Sequence, residues 1–191
     1  MVEIEIRGKL TKEQFEKFKS FLEEKAELMD NYKRLSVDLS PGFDPKTRSW
    51  SDSKFDLRLK KSGNSEKISL KVGEFHLQER QEIDVKLKDG EFLSSLKLFE
   101  TLGFDKGMIY FWESWEYEYQ GFEVKISRYT DNYYTWEIES KTKNLDPNNL
   151  ASDLNITSYS EVDYKKSIDW ENKNIHKLYS YKLAKNLLKR I

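Results

Sequence analysis

The chain has no cysteine, and its 191 residues include only two histidines, three prolines and eight glycines. The missing cysteine rules out disulfides and thiolate metal sites, which fits a reducing compartment. Scarce proline and glycine beside 11 Tyr, 11 Phe and 5 Trp predict an ordered globular protein. No apolar run approaches the length of a membrane span, and the N-terminus has no signal-peptide core. A cytoplasmic protein without membrane contact is therefore expected. Charge of either sign is not in excess, since Lys+Arg is 33 and Asp+Glu is 34, so nothing favours nucleic acid or an anionic membrane surface. There is no Gly-rich phosphate loop and no nucleophile–histidine–acid motif. His76 and His176 lie in different regions, and each suits a structural or solvent-facing role better than a catalytic one.

What is present is alternation. Val2, Ile4 and Ile6 alternate with Glu3, Glu5 and Arg7, so a strand there has one apolar and one charged face. The pattern recurs over Phe55–Lys60, Lys67–Val72, Glu79–Leu87, Phe122–Arg128 and Tyr134–Glu139, and Asn31–Leu39 is also read as a strand. Met108–Tyr119 is an aromatic-rich strand, and Pro41–Ser53 is read as a loop. Thr11 to Gln14 has capping-box spacing for a helix ending near Lys25, with Phe15, Phe18 and Leu22 inward. A second helix, Glu91–Leu102, stops at Gly103 in the C′ position. Asp146-Pro147 opens a helical tail. Helices are expected over 160–170 and 175–190, the latter with an apolar stripe of Ile175, Leu178, Tyr179, Leu183 and Leu187.

Eight strands and two helices are thus predicted within 1–143, followed by a helical extension, 144–191, packing on the same domain. The expected class is α+β: an eight-stranded antiparallel barrel, charged inside, with covering helices. Carboxylates collect on the first and last strands, and Arg and Lys on the hairpin of Arg58, Lys60, Lys67 and Lys71. Crowded carboxylates call for a cation, and hard oxygen ligands suit Mg²⁺ or Mn²⁺. Clustered Arg and Lys beside such an ion suit a polyanion, above all a phosphate chain.

In order and spacing these residues resemble the CYTH superfamily of triphosphate tunnel metalloenzymes. Glu3-Ile4-Glu5-Ile6-Arg7 is similar to its Glu-x-Glu-x-Lys strand, Arg58-Leu59-Lys60 to its Arg-x-Arg strand, and Ile68–Lys71 to the strand ending in Lys. Arg80-Gln81-Glu82, Leu102-Gly103-Phe104 and Glu137-Ile138-Glu139 complete the likeness over about 140 residues. The resemblance implies a tunnel that binds a linear triphosphate and a divalent metal. Arg7, Arg58, Lys60, Lys71 and Arg80 would clamp phosphate oxygens, and Glu3, Glu5, Glu82, Glu137 and Glu139 would hold Mg²⁺ or Mn²⁺. Glu3, Glu5, Arg58 and Lys71 would carry the catalysis.

The implied reaction is metal-dependent hydrolysis of inorganic triphosphate, thiamine triphosphate or a nucleoside triphosphate. Cyclisation of ATP to cyclic AMP, or triphosphate and polyphosphate binding without turnover, are the alternatives. The partner would be a small-molecule triphosphate, with an RNA 5′-triphosphate end left open, acting on a monomer or homodimer. The family's Lys-x-Arg pair on the sixth strand falls here on Trp112 and Ser114, and its acid late in strand seven on Ser127. Lys125 and Arg128 are candidates to restore the lost basic charge. Trp112 and Trp115 suit core or helix packing better than stacking on a ligand ring.

Overall fold

The computed structural model describes residues 4–51, 54–73, 81–140 and 145–191. Its elements in order are β1 (Ile4–Leu10), α1 (Lys12–Lys25), β2 (Glu27–Asp38), β3 (Phe43–Asp44), β4 (Ser49–Trp50), β5 (Phe55–Ser62), β6 (Ser65–Val72) and β7 (Gln81–Lys86). There follow α2 (Phe92–Thr101), β8 (Met108–Tyr119), β9 (Phe122–Thr130), β10 (Tyr133–Ser140), α3 (Pro147–Asp153), α4 (Glu161–Asn174), β11 (Lys177–Leu178) and α5 (Tyr181–Leu188). Apart from the small β3–β4 hairpin, the strands belong to one antiparallel sheet. The class is thus α+β, as expected. Closure into a barrel is not among the described pairings: β1 pairs with β10, and β7 with β6.

The chain divides into two compact units, Met1–Tyr32 with Trp112–Ser167, and Lys33–Phe111 with Ile168–Ile191. In the first, β1, β10, β9 and β8 are hydrogen-bonded neighbours in that order. Their apolar faces and α1 enclose a core of Leu10, Phe15, Phe18, Leu22, Val124 and Trp136, closed by Leu150 and Ala151 of α3. The capping box predicted for α1 is formed: Gln14 N donates to Thr11 Oγ1 (3.1 Å) and Thr11 N to Gln14 Oε1 (2.9 Å). Asp146 caps α3 by accepting from Asn148 N at 2.9 Å. Gly8 is required by close approach, because a Cβ there would lie 2.4 Å from the Thr157 carbonyl oxygen.

In the second unit, β2, β5, β6 and β7 are neighbours in that order. Val37, Leu39, Leu57, Leu59, Phe92, Leu96, Ile109 and Ala184 form its core. Helix α2 has no side-chain cap of its own. Glu66 of β6, only 4% exposed, supplies one from a distant position, accepting from Phe92 N (2.8 Å) and Gly90 N (3.3 Å). Gly103 (φ +91°) ends α2, and Phe104 N donates back to Phe99 O at 2.9 Å, a Schellman closure.

Three expectations change. Helix 175–190 is not continuous: Lys177 and Leu178 pair with Ile109 and Met108 of β8, and Ser180 caps a shorter α5. A free strand position on β8 satisfies that backbone, which helical periodicity alone cannot anticipate. The 41–53 loop contains the β3–β4 hairpin. The apolar face of β7, expected to lie outward beneath a covering helix, is also half in water, with Ile83 43% and Val85 51% exposed.

Candidate functional site

Antiparallel register arranges the polar face of the first unit into transverse rows. Glu5 faces Glu139, which faces Glu123, which faces Glu118. This first row is entirely carboxylate. Two residues along, Arg7 faces Glu137, Glu137 faces Lys125 and Lys125 faces Glu116, so the signs alternate. The next row is Lys9, Thr135, Ser127 and Ser114, with the Ser114 and Ser127 hydroxyls hydrogen-bonded at 2.8 Å. Beyond it lie Trp112 and Tyr129, their rings stacked at 5.5 Å and 22°.

The second row is closely paired. The Arg7 guanidinium is bonded to Glu5, sits 3.7 Å from Glu137, and donates to the Tyr164 hydroxyl of α4 at 2.7 Å. Lys125 Nζ lies 3.3 Å from both Glu137 and Glu116. Tyr32 donates its hydroxyl to Glu116. Burial raises the Glu5 carboxyl above its usual range, Glu137 raises it further, and Arg7 only partly opposes them. Those same carboxylates push the Arg7 guanidinium higher still, against the effect of its burial.

The polar face of the second unit has its own rows: Asp56–Lys71–Glu82, Asp38–Arg58–Ser69–Asp84, and Ser36–Lys60–Lys67–Lys86. Fully buried Asp38 lies 3.3 Å from Arg58 Nε, and that Nε donates to Asp56 at 2.7 Å. Asp38 Oδ1 also accepts from Ser40 N (3.0 Å) and Ser40 Oγ (2.5 Å). Burial pushes the Asp38 carboxyl up even though Arg58 draws it down. The Arg58 guanidinium lies 5.7 Å from the ring centre of Tyr110, which packs edge-on against His176.

Lys60 donates to Ser69 Oγ at 3.1 Å and lies 3.9 Å from Glu82, which is 3.2 Å from Lys71. Lys67 is paired with Asp84. Burial first, then Arg58 against partial relief from Glu82, lowers the Lys60 ammonium to about 8. The last row, three lysines with one serine, is a like-charge row that an anion would relieve.

The expected residues therefore fall into two groups. Glu5, Arg7, Lys125, Glu137 and Glu139 share the polar face of the first unit; Arg58, Lys60, Lys71 and Glu82 share that of the second. Glu3, Arg80 and His76 lie outside the described residues. His176 is buried beside Glu171 at 3.5 Å, where desolvation lowers its pKa. Arg48, a loop cation, donates to the carbonyls of Asn172 and Lys173 at the end of α4. The two tryptophans separate: Trp115 joins the apolar core against Phe15, and Trp112 lies on the charged face.

Sequence reasoning missed Asp38 and Asp56 as the partners of Arg58. Only Asp56-x-Arg58 carried a signal, through its same-face spacing. Among the described residues, no group of three or more acidic or histidine side chains is converged to hold a metal ion. The facing pair Glu5 and Glu139, with Glu137 in the next row, supplies donors of the right type for a hard cation. The raised Glu5 carboxyl marks a place where positive charge would be accepted.

No family model and no curated protein matches the chain. Solved structures do share its fold. The PH1012 protein of Pyrococcus horikoshii superposes with a TM-score of 0.59 at 20% identity, over 84% of this chain and 93% of that one. A protein of Bacillus halodurans called a "putative adenylate cyclase" gives 0.54 at 17% identity, over 84% and 95%. One from Vibrio parahaemolyticus with the same description gives 0.52 at 13% identity, over 97% and 98%. This likeness is one of fold. Among the described residues no helix is long and apolar enough to cross a membrane.

Proposed function

We propose that the protein binds a triphosphate-bearing compound together with Mg²⁺ or Mn²⁺ and hydrolyses it. The observation that carries this reading is the ordering of charge on the first unit's polar face. A row made only of carboxylates adjoins a row in which Arg7 and Lys125 alternate with Glu137 and Glu116. Four facing carboxylates repel and favour a cation. Arg7 and Lys125, now occupied by carboxylates, become available to phosphate oxygens once a cation draws those carboxylates away.

Glu5, Glu139 and Glu137 would hold the metal. A bound divalent ion supplies charge neutralisation at phosphate oxygens and a water of lowered pKa. Arg7 orients phosphate oxygens, itself positioned by Tyr164, and Lys125 balances negative charge that develops on the phosphoryl group. On the second unit's own polar face, Arg58, Lys60 and Lys71 are proposed as phosphate ligands. Arg58 is held in orientation by Asp38 and Asp56.

The test is phosphate release from inorganic triphosphate and nucleoside triphosphates with Mg²⁺, Mn²⁺ or chelator, with cyclic nucleotide measured in the same reactions. Metal-dependent phosphate release that Glu5→Gln abolishes is the expected result. Cyclic AMP as the main product would move the assignment to a cyclase. Binding without turnover would make the protein a triphosphate carrier, and neither binding nor turnover would overturn the reading.

A further inference from the structure

Strand β7 is open along one edge. Among the described residues it is hydrogen-bonded only to β6, and all six of its residues, Gln81–Lys86, are exposed. At β1, by contrast, the Arg7 carbonyl accepts from Tyr159 N at 2.8 Å. The register of β7 against β6 is regular from Gln81 to Lys86, and the strand contains no proline. Its Ile83 and Val85 are exposed β-branched residues. Such an edge is a template for another strand.

The register fixes which backbone groups are on offer. Leu87 N donates to Glu66 O at 2.9 Å, one step beyond the facing pair Lys86 and Lys67. Directly hydrogen-bonded pairs alternate along an antiparallel ladder, so Ile83 and Val85 turn their amides and carbonyls to β6. Those of Glu82, Asp84 and Lys86 turn to the open edge. Side chains alternate too. Ile83 and Val85 continue the apolar face of Leu70 and Ile68, which face them on β6 and pack against the second core. Glu82, Asp84 and Lys86 lie on the polar face.

The strand is complementary to itself. We propose that β7 pairs antiparallel with β7 of a second copy of this chain, about a two-fold axis at Asp84, and that the protein forms a homodimer joined edge to edge. In that register Glu82 faces Lys86 of the second copy and Lys86 faces its Glu82, so opposite charges meet at both ends. Ile83 faces Val85 of the second copy, and the apolar face runs on across the axis. The outward amides and carbonyls of Glu82, Asp84 and Lys86 all find mates. Asp84 meets its own counterpart, and each of the two is held by Lys67 of its own chain. A shift of two residues one way sets Glu82 against Asp84, which are like charges. A shift of two the other way pairs Glu82 with Lys88, whose amide is already taken by Glu91 at 3.0 Å. A shift of one residue turns the apolar face against the polar one. The dimer is independent of the triphosphate reading.

The test is sedimentation velocity of the full chain across roughly 1–200 µM, since a contact this short is at the small end of specific interfaces and calls for a dissociation constant on the order of 10 µM. The chain has no cysteine, so single introduced thiols map the register. Residues of a facing hydrogen-bonded pair have Cα atoms about 5.5 Å apart, within disulfide reach, so Asp84→Cys should cross-link two copies on oxidation. Lys86→Cys should not, because its counterpart is displaced by four residues of strand, about 14 Å. Val85→Lys puts a charge on the joined apolar face and should leave only monomer over the same range, with an unchanged circular dichroism spectrum. Monomer at every concentration overturns the proposal. So does a dimer that survives Val85→Lys or that Asp84→Cys does not cross-link, and so does cross-linking through Lys86→Cys. The two thiol variants replace exposed polar side chains, so they decide even if Val85→Lys folds poorly.

Discussion

Glu137 stands between two cations. Its Oε1 is 3.7 Å from Arg7 Nη1, and its Oε2 is 3.3 Å from Lys125 Nζ. Both cations are thus engaged by a carboxylate that the proposed function needs for metal. Glu137→Gln removes that competitor. It should tighten metal-free binding of inorganic triphosphate several-fold and reduce the gain from added Mg²⁺. Titration with and without chelator measures both. Unchanged metal-free affinity would show that Glu137 does not restrain Arg7 and Lys125.

Glu5 makes a pH prediction. Its folded-state pKa is raised by burial and by Glu137, so the ionised form is less favourable folded than unfolded. The folded state therefore binds more protons in the window between the ordinary value and the raised one. This group adds stability as pH falls through that window, and its cost is fully present above it. Glu5→Gln should raise Tm in chelator at pH 7 and flatten the acid side of the profile. A lowered Tm would contradict this.

Lys60 acts on the alkaline side. The unfolded lysine keeps its proton to about 10.5 and the folded one only to about 8. Between those values the unfolded chain binds more protons, so stability from this group rises with pH, and its cost is complete below about 8. A bound polyanion restores the ammonium. Triphosphate binding at pH 8.5 should take up protons and weaken as pH climbs past 8. Calorimetry in buffers of different ionisation enthalpy reads the uptake, and Lys60→Met should abolish it.

Asp38 is fully buried, and Arg58 lies between it and Asp56. Asp38→Ala leaves Arg58 with one aspartate and also strips Ser40 of its acceptor. Breaking a buried pair from one side costs about 3–5 kcal/mol. Urea unfolding should show a loss of that order, and a smaller one for Asp38→Asn, which keeps shape and an acceptor oxygen. A loss below about 1 kcal/mol, the scale of surface pairs, would mean that the pair is not supporting the unit.

Gly107 is a steric requirement. A Cβ there would lie 1.8 Å from the Asp38 carbonyl oxygen, and the neighbour in the way is backbone. Gly107→Ala must displace one of the two segments, at a cost of about 1–3 kcal/mol or more. Thermal unfolding reports it. Because the obstructing carbonyl belongs to Asp38, the same variant should weaken triphosphate binding through Arg58.

Several features were legible from local sequence because they depend on local physics. The Thr11–Gln14 box, the Asp146 cap and the Gly103 stop each involve residues close in the chain. The Glu66 cap of α2 was not legible, since its carboxylate arrives from β6, 26 residues before Phe92. The expected helix over 175–190 failed at Lys177 and Leu178 for a similar reason, because their backbone partners are on β8.

The site divides the same way. Alternation by itself determined that Glu5 and Arg7, or Glu137 and Glu139, share a strand face, because side-chain direction has a period of two. Which residues stand side by side depends on register between strands distant in sequence, and only the tertiary structure decided that. It set Glu5 against Glu139 and Arg7 against Glu137, and brought Asp38 and Asp56 around Arg58. It also decided what the two faces of β8 meet, packing Trp115 against the core and leaving Trp112, on the opposite face, among the charges. A strand's pattern defines its two faces, but its neighbours and its burial decide what each face meets.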